Sequence, residues 1–339
     1  MPAEITQQLN FNDEVTGLIY GYVFEPDAAA RRIPSREVLN EFQSIEPGRG
    51  FIWLHVNLNH ATAEKWLKKH FAMADFFFEE IRQGSRSTRI ERQGEVLFAV
   101  LNDVIFRPEG GGEDAATLWL YCRPQLVVTA RHKPVRLIEN LFRKLDQLMP
   151  ASPTALLVDL LEEQEDVLEQ IVRQANLYVD AIEERLLSHH IKNNRTALGR
   201  LRRLLLRYQR LLAPEPAALF RLMSRPPAWL ETVVVQDIRH FAEEFTVVLN
   251  DLVGLTERIR LLQEEIAAKQ MEQNNRTLFQ LTIITVLALP INIVAGFFGM
   301  NVGGIPFANN RHGFLLLVLI VTGFTLITAY WALRRRDND

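Results

Sequence analysis

Eight positions near the C-terminus carry the polar groups with the most chemical potential in this chain. Asn275, Leu278, Thr282, Thr285, Leu289, Asn292, Gly296 and Gly299 recur at alternating steps of three and four residues, so a helix places them on one face. The stretch around them is otherwise apolar. No Lys, Arg, Asp or Glu stands between Arg276 and Arg311, and none from Gly313 to Leu333. About 20 apolar residues in helical form span a bilayer core, and Leu278–Phe298 and Phe314–Leu333 both meet that length. Hydrocarbon does not solvate amides and hydroxyls, so polar groups on a spanning helix need a reason. A pore enclosed by several copies of the helix is one. Helix packing through small residues is another, and it fits Thr282, Thr285 and Gly296 taken singly. Asn292 favours the pore, because an amide is costlier to bury. Pro290 removes one backbone donor mid-span and is read as a bend.

Orientation follows from the basic residues beside the spans. Lys269 and Arg276 precede the first, Arg334, Arg335 and Arg336 follow the second, and the connecting loop carries Arg311 alone. Both termini are expected on the cytoplasmic side of a plasma membrane, which in a bacterium is the inner one. Met1–Phe11 has neither a basic segment nor an apolar core, so insertion is expected to be driven by the C-terminal helices. The single cysteine, Cys122, permits no intrachain disulfide and no cysteine-based zinc site. A formal charge of −3 over 339 residues leaves no nucleic-acid footprint.

The elements that must position the stripe lie upstream. Ile238, Phe241, Phe245, Val248, Leu252, Leu255, Ile259, Leu262 and Ile266 form four unbroken heptads. No breaker separates them from the first span, so one helix is predicted from about Gln236 to Phe298, roughly 90–95 Å long. Such a rod needs neighbours, from its own chain and from other copies. Before it, Ser152–Pro153 opens a helix with an acidic face (Asp159, Glu162, Glu163, Glu165, Asp166, Glu169, Asp180, Glu183, Glu184). Lys192-Asn193-Asn194 reads as a turn into a basic helix with Arg195, Arg200, Arg202, Arg203, Arg207 and Arg210. The two helices are expected to form an antiparallel pair with complementary faces. Pro214, Pro216, Pro226 and Pro227 interrupt or end helices there. The first ~150 residues read as a small sheet with helices on it. Strands are predicted at Phe51–Leu58, Glu95–Phe106, Thr117–Cys122 and Gln125–Ala130, helices at Ala61–Phe71 and Asp75–Gln83, and a glycine-rich turn at Pro108–Glu113. The domain reading is 1–150 α/β, 151–277 long helices and stalk, and 278–339 transmembrane hairpin with a cytoplasmic tail.

Gly299-Met300-Asn301 closes the first of the two spans, and the long helix and α/β region precede it. In that setting the tripeptide resembles the signature of the CorA family of divalent-cation transporters. Val302-Gly303-Gly304-Ile305-Pro306 resembles its zinc-transporting ZntB branch, since no acidic residue lies between Val302 and His312. Met300 keeps the full tripeptide, where some chains of that branch vary it. The resemblance implies a funnel-shaped homopentamer with a wide α+β cytoplasmic part, a helical stalk and five first spans lining the pore. It implies carboxamides of Asn301 at the outer mouth, with Gly299 and Met300 shaping the turn, and it makes zinc the first cargo and magnesium, cobalt or nickel the alternative. Proton coupling comes with the zinc branch, and His312 is the one nearby group that titrates near neutrality. The pore residues alone do not select zinc, because zinc prefers His and Cys and the first span has neither. Amide oxygens are hard neutral acceptors that suit a hydrated dication.

No phosphate-binding loop and no hydrolase or dehydrogenase constellation is present, so no enzyme activity and no cofactor are expected, and membrane lipid and further copies are the expected partners. His189 and His190 point about 100° apart on a helix. A run of acids is more often a solvated face than a cation sensor. The alternative class is a membrane-anchored scaffold, which has no use for a polar stripe.

Overall fold

The structure, a computed structural model, describes residues 16–26, 28–46, 48–84, 88–107, 115–145, 150, 152–187, 194–300, 304, 306 and 312–336. The Pro108–Glu113 turn, His189, His190, Lys192, Asn193, Asn301, Val302, Gly303 and Ile305 lie outside these residues, as does Met1–Phe11. The chain divides into two compact units, Met1–Gln263 and Glu264–Asp339.

The first unit is built on a seven-stranded sheet in the order β2-β1-β3-β7-β6-β5-β4. The strands are β1 (Leu18–Phe24), β2 (Arg31–Arg32), β3 (Phe51–Asn57), β4 (Arg89–Gln93), β5 (Val96–Val104), β6 (Ala115–Arg123) and β7 (Leu126–Arg131). All pairs are antiparallel except β3 with β7, where Leu54 stands opposite Val128. Helices α1 (Ser35–Ser44), α2 (Ala63–Phe71) and α3 (Asp75–Gln83) cover one face. There Leu67, Phe71, Phe77 and Phe78 meet Ile52, Leu54, Val56, Val128 and Phe98 in one buried core. The alternate residues of the strands point to the other face. On that face Phe142 of α4 (Arg136–Lys144) stacks on Tyr20 with ring centroids 4.5 Å apart.

Trp53, His55 and Thr129 form a fully paired polar knot on the same face. Trp53 Nε1–H donates to Thr129 Oγ1 at 2.9 Å, and His55 Nδ1 lies 2.9 Å from the same oxygen. Arg131 Nε–H donates to His55 Nε2 at 3.0 Å, so His55 is neutral with its proton on Nδ1. Burial first, then the Arg131 charge, lower its pKa to about 3.

The helices that follow are α5 (Pro153–Leu187), α6 (Asn194–Leu212), α7 (Pro214–Ser224) and α8 (Thr232–Phe298). Ser152 Oγ accepts the Ala155 N–H at 3.2 Å and caps α5. The heptad seam of α8 is buried within its own chain, with Ile238, Phe245, Leu252, Ile259 and Ile266 fully inaccessible. Among the described residues the acids of α5 meet Arg258 of α8, which binds Asp180 at 2.6 Å and also Glu183, and Lys144 of α4, which binds Glu163. α6 ends at Leu212, just before Pro214, and Pro214 and Pro216 then stand in the first turn of α7, where Pro is tolerated.

Candidate functional site: the polar stripe of the long helix

α8 is 67 residues long and runs through Pro290 without a break. It is long and apolar enough to cross a membrane, and its most apolar window has no buried residue. Every member of the predicted stripe from Asn275 to Gly299 is exposed in the single chain, Leu278 at 60% and Leu289 at 56%.

The hydroxyls on the stripe have a definite polarity. Thr282 Oγ1–H donates to the Leu278 carbonyl at 2.8 Å, and Thr285 Oγ1–H to the Leu281 carbonyl at 2.9 Å. Their hydrogens are thereby committed to the helix, and what each presents outward is an oxygen lone pair. A hydrated cation offers the hydrogens of its water shell, so acceptors are the groups that recognise it. Asn292 and Asn275 add amide oxygens to the same face. Gly296 meets nothing within 4 Å of where a Cβ would stand, so its small size serves no contact inside the chain.

The helix ends at the tripeptide. The Gly299 N–H donates to the Ala295 carbonyl at 2.9 Å, and the Met300 N–H to the Phe297 carbonyl at 3.4 Å, which tightens the last turn. A Cβ on Gly299 would stand 3.0 Å from the Ala295 oxygen. Gly304 has φ +95°, a left-handed conformation that only glycine adopts cheaply. Pro306 lies in a turn, and His312 precedes α9 (Gly313–Arg336). The Gly313–Thr328 part of α9 is apolar, and Thr325 and Thr328 donate to carbonyls of their own helix at 2.8 Å.

Among the features that went unread in the sequence, two bear on function. The first is a second row on α8: Val247, Gly254 and Leu261 stand seven residues apart and are exposed, Val247 at 59% and Leu261 at 53%. Continued by sevens, this spacing reaches Ala268 and then Asn275, so the period of the stripe was the available signal. The second is a buried polar junction around Glu215, for which neither spacing nor composition gave a signal.

The acidic face of α5 stands against acids of α8. Burial and the charges of Glu244 and Asp166 push Glu165 up to about 7, and burial followed by Asp237 pushes Glu162 up. Among the described residues no group of three or more His, Cys, Asp or Glu is arranged to hold a metal. Cys122 is buried, and burial pushes its thiol up, away from reactive thiolate.

A helix long and apolar enough to span a membrane, with acceptor oxygens along one face, stands in a chain that also carries an α/β sheet unit. The chain belongs to the family of the CorA-like Mg2+ transporter protein, whose family model matches residues 48–335. It is therefore a divalent-cation transporter of that family. Divalent cation transporter CmaX of Pseudomonas aeruginosa is 27% identical over 325 residues, covering 94% of this chain and 96% of the relative. Zinc transport protein ZntB of Yersinia pseudotuberculosis is 23% identical over 324 residues, covering 95% and 97%. The solved structure of full-length CmaX superposes with a TM-score of 0.78 over 94% of this chain and 97% of that one. The CorA magnesium transporter from Methanocaldococcus jannaschii gives 0.75 over 91% and 96% at 17% identity, a likeness of fold.

Proposed function

We propose that copies of this chain assemble as a homo-oligomer, a pentamer by the family resemblance, in a bacterial inner membrane, and carry divalent cations through a pore lined by α8. Zinc is the first cargo, with magnesium, cobalt and nickel as alternatives. The observation that carries this reading is the row of amide and outward hydroxyl oxygens on one face of an otherwise apolar helix. A face of amides and outward hydroxyl lone pairs turned to lipid is costly, and turned to a shared water column it is satisfied. Val247, Gly254 and Leu261 extend the same reading into the stalk, since an exposed row of small and apolar residues fits close approach of identical helices.

Residues 278–339 form the membrane hairpin in this account, with α8 and α9 as its two spans and both termini cytoplasmic. Residues 1–150 and 151–277 are then its cytoplasmic α/β and stalk parts. Asn301 presents carboxamides at the outer mouth, held by the Gly299-Met300 turn and the loop from Val302 to Pro306 with His312. Zinc draws support from the ZntB relative and from the glycine-rich loop. Magnesium draws support from the oxygen-only character of the stripe, which suits an ion that dehydrates reluctantly. Inward passage of a dication gains about 4.6 kcal/mol per 100 mV, so no ATP-hydrolysing part is needed.

Uptake into proteoliposomes loaded with a metal indicator tests the reading. Flux of Zn2+, Mg2+, Co2+ or Ni2+ above empty vesicles is expected, with Zn2+ dominant. Asn301→Ala is expected to abolish or deregulate it while the oligomer stays assembled. Absence of flux for all four metals would favour a tethered scaffold, and wild-type flux in the variant would remove Asn301 from the pore.

A further inference from the structure

The junction of β5, α5 and α7 contains a carboxylate with no counter-charge. Glu215, in the first turn of α7, is fully buried, and Gln164 of α5 is 2% exposed. Gln164 Nε2 donates one hydrogen to Glu215 Oε2 at 2.9 Å and is placed to donate the other to the Asn102 carbonyl at 3.2 Å. The remaining oxygen of each group, Glu215 Oε1 and Gln164 Oε1, is reached by no protein donor. Two buried acceptors left without a donor, on side chains already joined by a hydrogen bond, are expensive. One proton removes both vacancies. Placed on Glu215 Oε1, it makes that atom a donor to Gln164 Oε1 and closes a ring of two hydrogen bonds between a carboxylic acid and an amide.

We propose that Glu215 is a buried proton-binding site, held as a neutral carboxylic acid that locks α7 to α5 and β5 through Gln164. The lock continues into a wider chain. Thr117 Oγ1 donates to Asn102 Oδ1 at 3.2 Å, Asn102 Nδ2 to Thr88 Oγ1 at 3.0 Å, and Thr88 Oγ1 to the Leu211 carbonyl at 2.8 Å. One proton thus completes a network joining β6, β5, α5, α7 and the end of α6.

Ionisable groups on the surrounding elements are otherwise engaged or exposed. On β4, Arg89 is held by Glu80, Arg92 donates to the Pro226 carbonyl, and Glu91 is exposed. Asp103 of β5 accepts the Arg136 N–H, and Glu163 of α5 binds Lys144. On α6 Tyr208 donates to the Ile105 carbonyl, while Arg207 and Arg210 are exposed. None of these charges perturbs Glu215. Burial raises its pKa from 4.5 to about 8, against a smaller lowering by the Gln164 bond.

The sign is fixed by linkage. Between about pH 4.5 and 8 the folded state holds a proton at Glu215 that the unfolded state lacks, so the contribution of this group to stability falls with rising pH, about tenfold in the folding equilibrium per unit, and levels off above 8. Glu215→Gln replaces the acid by an amide that keeps both bonds at every pH. In full-length protein in detergent, the melting-temperature advantage of E215Q over wild type is expected to grow from about pH 5 to about pH 8 and then stay level. Asp103 and the other acids contribute equally to both proteins and cancel in the difference. The wild-type minus E215Q infrared difference spectrum at about pH 7 is further expected to show a neutral-acid carbonyl band, the contribution of Glu165 being common to both proteins and cancelling. The reciprocal exchange, Glu215→Gln with Gln164→Glu, is expected to restore the band and the pH slope. A pH-independent melting difference overturns the proposal. So does a wild-type spectrum at neutral pH without a neutral-acid band, whether or not either variant folds.

Discussion

His55 and Thr129 show how one hydroxyl can organise a buried site. Thr129 Oγ1 accepts from both Trp53 and His55 and donates to the Leu54 carbonyl at 3.4 Å. Thr129→Val keeps the shape and strands two buried donors, each worth about 1–3 kcal/mol. Calorimetry of the full chain is expected to show the first unit destabilised by about 2–4 kcal/mol; a variant that melts with wild type would contradict the pairing. The same knot gives an acid limb. His55 is neutral when folded down to about pH 3, whereas the unfolded chain takes up a proton below 6.5. The contribution of His55 to stability therefore falls as pH drops through that window, about tenfold per unit, and opposes that of Glu215 where the two windows overlap. At the same scale the stripe from Asn275 to Gly299 was legible, because polar groups are conspicuous among apolar ones. Glu215 was not, because a lone Glu beside two prolines reads as a solvated helix start until its surroundings are seen.

Helices and strands were legible in part: β1, α1 and α4 went unpredicted although each buries apolar residues. The heptads from Ile238 to Ile266 gave the rod, and alternation or continuous β-branched runs gave β3, β5, β6 and β7. β4 was missed because Arg89–Gln93 is a polar edge strand with one buried residue, Ile90, and no alternation to read. α7 was missed because two prolines that look like breakers sit in its first turn. Periodicity also left open which partner each row of α8 meets. The structure assigns the seam to the chain itself and leaves the row of Val247 and Leu261 exposed. Ile259→Ala is accordingly expected to cost about 2–4 kcal/mol of stability in thermal unfolding. Leu261→Asp is expected to leave stability within about 0.5 kcal/mol and to break the oligomer in native mass spectrometry. Intact oligomers of the Leu261 variant would remove that row from the interface between copies.

For the whole molecule, membership of the CorA family sets the frame, and the pore made from several copies of α8 is the claim on which the functional account rests. Cys122, the one native thiol, is buried and inert, so an introduced cysteine reports alone. The decisive measurement is Zn2+ uptake by proteoliposomes of Thr285→Cys and of its neighbour Ile284→Cys, before and after a bulky, membrane-impermeant, thiol-specific reagent. The account predicts that the reagent blocks flux through Thr285→Cys and spares Ile284→Cys, because the first faces the water column and the second does not. Equal sensitivity of the two variants, or an unblocked Thr285→Cys that is shown to be labelled, would contradict it.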